Sequence, residues 1–170
     1  MSEHSVLIAG IGNIFLGDDA FGSEVARKLM SRTFPPGVRV EDFGIRGLDL
    51  AYAMLDGGDL TVLIDATPRG GKAGTLYLIE PDFETTDELE ESMIDAHSMN
   101  PIKVLAMVKS MGGTIRNVRI IGCEPAPLES EDGFMGLSAP VEAAIDGAVE
   151  MVEKLLNEFS AEQTMSACSL

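Results

Sequence analysis

Apolar and polar positions fall along the chain in two textures. Short runs at 6–10, 60–64 and 118–122 are almost wholly apolar and end on Gly10, Asp65 or Cys123. Such runs predict strands buried on both faces. The run Val38–Phe43 instead alternates, as a strand nearer a sheet edge does, and Thr75–Ile79 reads as a further strand. The short connection after Asp65 suggests that this last strand forms a hairpin with the one before it. Between the strands lie longer segments with apolar residues near helical spacing. One helix is expected over 19–32, with Phe21, Val25 and Leu29 on one stripe, closed by Pro35-Pro36. Others are expected over 48–55 (closed by Gly57-Gly58), over 101–111 and over 140–159. Pro101 sits at a helix start, where a missing N–H is harmless, and Gly112-Gly113 stops that helix. Residues from Ser160 onward read as a short frayed tail.

Strands interleaved with helices make this an α/β chain with a mostly parallel sheet of about five strands. No repeat or linker divides it, so 1–170 is expected to form a single domain. In sheets of this class, sites lie at the carboxyl ends of strands, where strand order reverses. That rule directs attention to Gly12, Asp18, Asp19 and Asp65.

Composition narrows the classes. The 170 residues carry 28 Asp+Glu against 12 Lys+Arg, a formal charge of −16. Lys and Arg are too few to neutralise a phosphate backbone, so no nucleic-acid partner is expected. Two cysteines exclude a Cys-rich zinc site, a cluster or a disulfide framework. The expectation is a cytoplasmic monomer with reduced cysteines, no signal segment and no membrane span. Only His4 and His97 can supply imidazole.

The first βα turn reads Gly10-Ile-Gly12-Asn13-Ile-Phe15-Leu-Gly17-Asp18-Asp19. A dinucleotide fingerprint would place a third glycine where Phe15 stands, and a pyrophosphate would meet two carboxylates. The bland role for one member of the Asp18–Asp19 pair is to cap the helix. Capping needs only one, which leaves the other free. Asp65 either caps the following turn or presents a carboxylate at the sheet edge. If the first and third strands are neighbours, it shares a crevice with Asp19. His97 lies on a loop just before a helix, the better placed of the two histidines. Two carboxylates and an imidazole are a plausible open ligand set for a borderline divalent ion such as zinc or nickel. Residues 80–96 hold eight carboxylates and no Lys or Arg. They read as a solvated face, or as a flap leading into His97. Cys123 reads as a small buried residue.

Taken together these segments resemble the hydrogenase maturation proteases, which trim the C-terminus of the [NiFe]-hydrogenase large subunit. The matching stretches are Gly10-Ile-Gly12-Asn13 with Gly17-Asp18-Asp19-Ala20-Phe21-Gly22, then Leu63-Ile64-Asp65-Ala66, and His97 followed by Val104-Leu105. Near the C-terminus come Ile121-Gly122-Cys123-Glu124-Pro125, Leu128-Glu129 and Gly136-Leu137-Ser138-Ala139-Pro140-Val141-Glu142. The resemblance implies a three-layer domain with helices on both faces of the sheet. It implies a trio of Asp19, Asp65 and His97 that is both catalytic and metal-binding. It also implies a nickel-loaded large-subunit precursor as partner, whose nickel is the recognition signal. Two positions depart from the family pattern. Asp95 stands where Ser is familiar, and the loop Asp42-Phe43-Gly44-Ile45-Arg46-Gly47 is less Gly-rich and more basic. Two rival readings are a nickel-binding assembly chaperone that does not cut and a nucleotide- or flavin-binding domain.

Overall fold

The computed structural model describes residues 4–56, 58–81, 100–127 and 136–168. Five strands form one sheet: β1 (Val6–Ile11), β2 (Val38–Gly44), β3 (Leu60–Ala66), β4 (Leu76–Ile79) and β5 (Val118–Cys123). Their order is β2-β1-β3-β5-β4, parallel except for β4, which runs antiparallel to β5. Four α-helices are described: α1 (Phe21–Met30), α2 (Gly47–Leu55), α3 (Pro101–Ser110) and α4 (Ala139–Cys168).

The apolar runs take the inner positions, as expected. β1 and β3 pair directly, Val6 with Leu60 through Gly10 with Ile64; β1 is buried throughout and β3 up to Asp65. The alternating strand β2 lies at an edge. Residues of opposite parity on the strands feed two cores. Ile8, Val62, Ile64 and Ile121 pack with Phe21, Val25 and Leu29 of α1 and with Val149 and Val152 of α4. Leu7, Ala9, Leu63 and Ile120 pack with Leu50 of α2 and with Val104, Leu105 and Val108 of α3. Each large side chain so buried contributes about 1.5–3 kcal/mol of transfer free energy. Helices therefore cover both faces of the sheet.

Two expectations need correction. The strand after Asp65 does not return as a hairpin. β5 inserts between β3 and β4, so that its own apolar residues are flanked on both sides. The connecting segment passes over the end of β5: Thr67 N–H donates to Cys123 O (2.8 Å) and Gly74 N–H to Glu124 O (2.8 Å). Gly122 makes the crossing possible, because a Cβ there would run into the Thr67 side chain. The last helix also does not stop at Phe159 but continues to Cys168. Ala161, Glu162, Gln163, Met165 and Ala167 are sound helix formers, with no Gly or Pro to stop them.

Glycine also sets how closely α1 meets the sheet. A Cβ at Gly22 would land on the carbonyl oxygens of Ile64 and Ile11, and one at Gly10 on the Gly22 carbonyl. The close helix–strand approach therefore rests on Gly22, seven residues beyond Phe15. α3 is capped by Asn100, whose Oδ1 accepts from Lys103 N–H at 2.9 Å. Because α3 ends shortly before β5 begins, it runs against that strand, and its N-terminus lies toward the carboxyl edge.

Candidate active site at the carboxyl edge of the sheet

β1 leads to α1 on one side of itself, while β3 pairs on its other side, so the strand order reverses between β1 and β3. Two carboxylates stand at this switch point. Asp65 ends β3 and is 3% exposed. Asp19 lies in the 3-10 turn Gly17–Ala20 that precedes α1. The turn is drawn in close, because Gly12 lies under it and a Cβ there would strike the Asp19 carbonyl.

Among the described residues Asp65 meets few donors: its Oδ1 accepts one hydrogen bond, from Ala66 N–H at 2.8 Å. Burial pushes its carboxyl well above the usual carboxylate range, and the charge of Asp19 pushes the same way, against the one backbone bond. A buried carboxylate beside another carboxylate is suited to a cation brought between them. Among the described residues no three His, Cys, Asp or Glu side chains form a metal-sized cluster. The third candidate, His97, lies outside the described residues, as do most of the acidic stretch 80–96 and Leu128-Glu129. His4, the other imidazole, stands 3.5 Å from Asp59 and packs edge-on against Phe159. It is attached before the amino end of β1, far from this edge.

Neither member of the acidic pair caps a helix. Asp19 reaches back instead, its Oδ2 accepting from Asn13 N–H at 2.9 Å. Asp18 reaches across the sheet edge. Its carboxylate accepts from Ala126 N–H (2.8 Å), Ser138 N–H (2.6 Å) and Ser138 Oγ–H (2.8 Å). Asp18 is thus a fastener between the Asp19 turn and the two segments that follow β5 and precede α4. Asp42, two residues before the end of β2, accepts from Gly44 N–H (3.0 Å) and pairs with Arg27 (3.4 Å), a local structural role.

Sequence reading passed over Glu124 as a site element. It follows β5 as Asp65 follows β3's apolar run, is equally buried, and carries the same signal of an acid after an apolar strand. Its surroundings differ. Oε2 accepts from Arg69 N–H (2.8 Å) and Tyr77 O–H (2.9 Å), and Oε1 from Gly70 N–H (3.1 Å). Burial raises its carboxyl, but the bonds from Arg69, Tyr77, Gly70 and Gly71 outweigh it and hold it below the usual value. Burial and the nearby Asp18 and Glu124 charges push the Cys123 thiol up to about 11, which leaves it an inert core residue. A concavity lined by Glu80, Ile115, Asn117 and Arg119 opens at the opposite, amino edge and brings no such donors together. No helix among the described residues is long and apolar enough to cross a membrane.

Comparison with known proteins agrees with this geometry. A family model described as hydrogenase maturation protease matches residues 23–155, a span that includes Asp65 and His97 and begins just after Asp19. The hydrogenase expression/formation protein HoxM of Azotobacter vinelandii is 31% identical over 93% of this chain and 75% of its own length. Among solved structures, the hydrogenase 2 maturation peptidase of a Thaumarchaeota archaeon is 31% identical with a TM-score of 0.67, covering 90% of this chain and 98% of that one. The hydrogenase maturating endopeptidase HybD of Escherichia coli is 27% identical with a TM-score of 0.71, covering 91% and 93%. The order of strands, the paired acids at the switch point and these matches converge: the chain belongs to the hydrogenase maturation proteases and is an endopeptidase of that family.

Proposed function

We propose that this single domain removes the C-terminal peptide of a [NiFe]-hydrogenase large-subunit precursor that already carries nickel, and that Asp19, Asp65 and His97 hold that nickel through its open positions. The observation that carries the reading is Asp65: a buried carboxylate with one hydrogen-bond donor among the described residues, set beside a second carboxylate. Such a pair gains when a cation arrives and is strained without one. His97 lies three residues before Asn100, which caps α3 toward the same sheet edge; that proximity supports the third ligand. The nickel belongs to the substrate. Held at this edge, it would orient the scissile bond and lower the pKa of a bound water, as divalent ions do. Asp18, fastened to Ala126 and Ser138, keeps Asp19 in place rather than touching the metal. A monomer acting in the cytoplasm on a soluble precursor fits the acidic surface.

The test is the mass of the precursor after incubation, nickel-loaded and nickel-free, with wild-type and His97→Ala chains. Release of the C-terminal peptide from the nickel-loaded form alone, lost in the variant, is expected. Cleavage at the wild-type rate by His97→Ala removes the histidine from the site. Nickel retention without any loss of mass leaves a chaperone instead.

A further inference from the structure

Ten large apolar side chains are exposed among the described residues, and six of them lie on two neighbouring loops or the helix turn that follows: Ile14, Phe15, Leu16, Ile45, Leu48 and Tyr52. Phe15, Leu16 and Ile45 are 65%, 59% and 63% exposed. Scattered single exposed apolar residues are ordinary; a concentration on one rim is the mark of an interaction surface.

The two loops are joined. Gly12 N–H donates to Gly44 O at 3.0 Å, so the turn after β1 and the turn after β2 meet. Both are held in shape from below. Phe15 N–H donates to Asn13 Oδ1 (2.9 Å), Leu16 N–H to Asn13 O (3.1 Å) and Asp19 N–H to Leu16 O (3.1 Å). Asn13 N–H in turn donates to the Asp19 carboxylate. In the second loop Arg46 donates to Asp42 O (2.9 Å), pairs with Asp49 (3.3 Å) and lies over the Phe43 ring. Leu48 and Tyr52 are one turn apart and share a face of α2. These side chains are therefore displayed on a fixed backbone, which lowers the ordering cost of binding.

We propose that this rim is the docking surface for the large-subunit precursor, taking an apolar segment that lies beside the precursor's metal site. The proposal rests on the function given above and names where the protein substrate is gripped. Continuity selects the occupant. The loop 14–16 is tied at its base to the Asp19 carboxylate through Asn13 N–H, so its exposed Phe15 and Leu16 lie on the same rim as the paired acids that receive the precursor. The acids of the second loop are matched within the chain, Glu41 by Arg39 and Arg46, Asp42 by Arg27 and Asp49 by Arg46, so the apolar side chains rather than unpaired charge mark this surface. Phe15, which spoils a dinucleotide fingerprint, gains a use here: an aromatic anchor at the mouth of the site.

The experiment compares steady-state processing of nickel-loaded precursor by two double variants, Phe15→Ser with Leu16→Ser and Ile45→Ser with Leu48→Ser. Met30→Ser, an exposed apolar residue at the far end of α1, is the control. Each double variant is expected to raise KM about tenfold or more while kcat falls less than about threefold, as loss of interface anchors does. The control is expected to keep the wild-type KM. Thermal melts of all variants confirm that they are folded. Unchanged KM in both double variants overturns the docking proposal while leaving the protease reading intact. Sedimentation of the chain alone as a dimer that the same variants dissolve also overturns it, because a second copy would then own the surface. Failure of the wild-type chain to shorten the precursor removes the functional reading, and the docking proposal with it.

Discussion

Asp65 and Glu124 end neighbouring strands of one sheet, are equally buried, and are held in opposite ways. Glu124 collects donors from the Arg69–Gly71 backbone and from Tyr77, and its carboxyl is held low. Asp65 has the Ala66 N–H and faces the charge of Asp19, and its carboxyl is held high. Exclusion from solvent alone therefore does not separate the two carboxylates at this edge; among the described residues they differ in how many donors they meet and in the charge that lies beside them. Glu124 is complete within the protein and serves to fold the 67–74 segment over β5. Among the described residues Asp65 has no such set of donors, which leaves it open to a further partner.

The largest effect expected from breaking this contrast is at Asp65 itself. Asp65→Asn should lower processing of nickel-loaded precursor by about a hundredfold or more, the scale of losing a group that acts directly in catalysis. The same change should raise the melting temperature at pH 7. A carboxyl whose folded pKa is raised contributes stability that is full below its unfolded pKa and lost as pH rises through the folded value. The gain should therefore vanish in acid. A variant that melts below wild type at pH 7 would show that Asp65 is satisfied after all.

Gly22→Ala comes next. The added methyl meets two carbonyl oxygens and must push α1 from the sheet, at a cost of about 3 kcal/mol. It should also shift the turn that carries Asp19, so residual activity should fall more than the unfolded fraction explains; chemical denaturation alongside processing rates checks both. Asp18→Ala removes three hydrogen bonds to a carboxylate and should cost about 2 kcal/mol, read from the urea midpoint. A wild-type midpoint would place Asp18 with Asp65 rather than with Glu124.

The smallest effect is a matter of pH. Glu124 has a depressed folded pKa, so its contribution is full above the unfolded value and lost as pH falls through the folded one. Glu124→Gln should lower the melting temperature near neutrality and flatten its fall between about pH 5 and 3, the range set by ordinary carboxyl values. An acid limb as steep as wild type would deny Glu124 the role given to it.

Much of this was legible in the chain. Almost wholly apolar runs announced β1, β3 and β5, alternation put β2 at an edge, and Pro101 with Gly112-Gly113 bounded α3. What pattern could not supply was pairing. Nothing local says that β5 slips between β3 and β4; that follows from Thr67 crossing Gly122, a contact between residues 55 apart. The acids show the same division. Asp19 and Asp65 could be drawn together by strand order alone. The partners of Asp18 lie more than a hundred residues away, and a short window offered a helix cap as the role of one acid of the pair. Glu124 carried a readable signal, an acid closing an apolar strand, but its donors come from a loop whose path depends on the pairing.

The Asp18 fastening has a consequence for how such a protein can change over generations. One carboxylate grips the chain at Ala126 and again at Ser138, two points twelve residues apart in sequence that are thereby pinned close together. A substitution at Asp18 is therefore felt in three places at once, the turn that carries Asp19, the segment after β5 and the start of α4, so this position has far less freedom to drift than an exposed acid has.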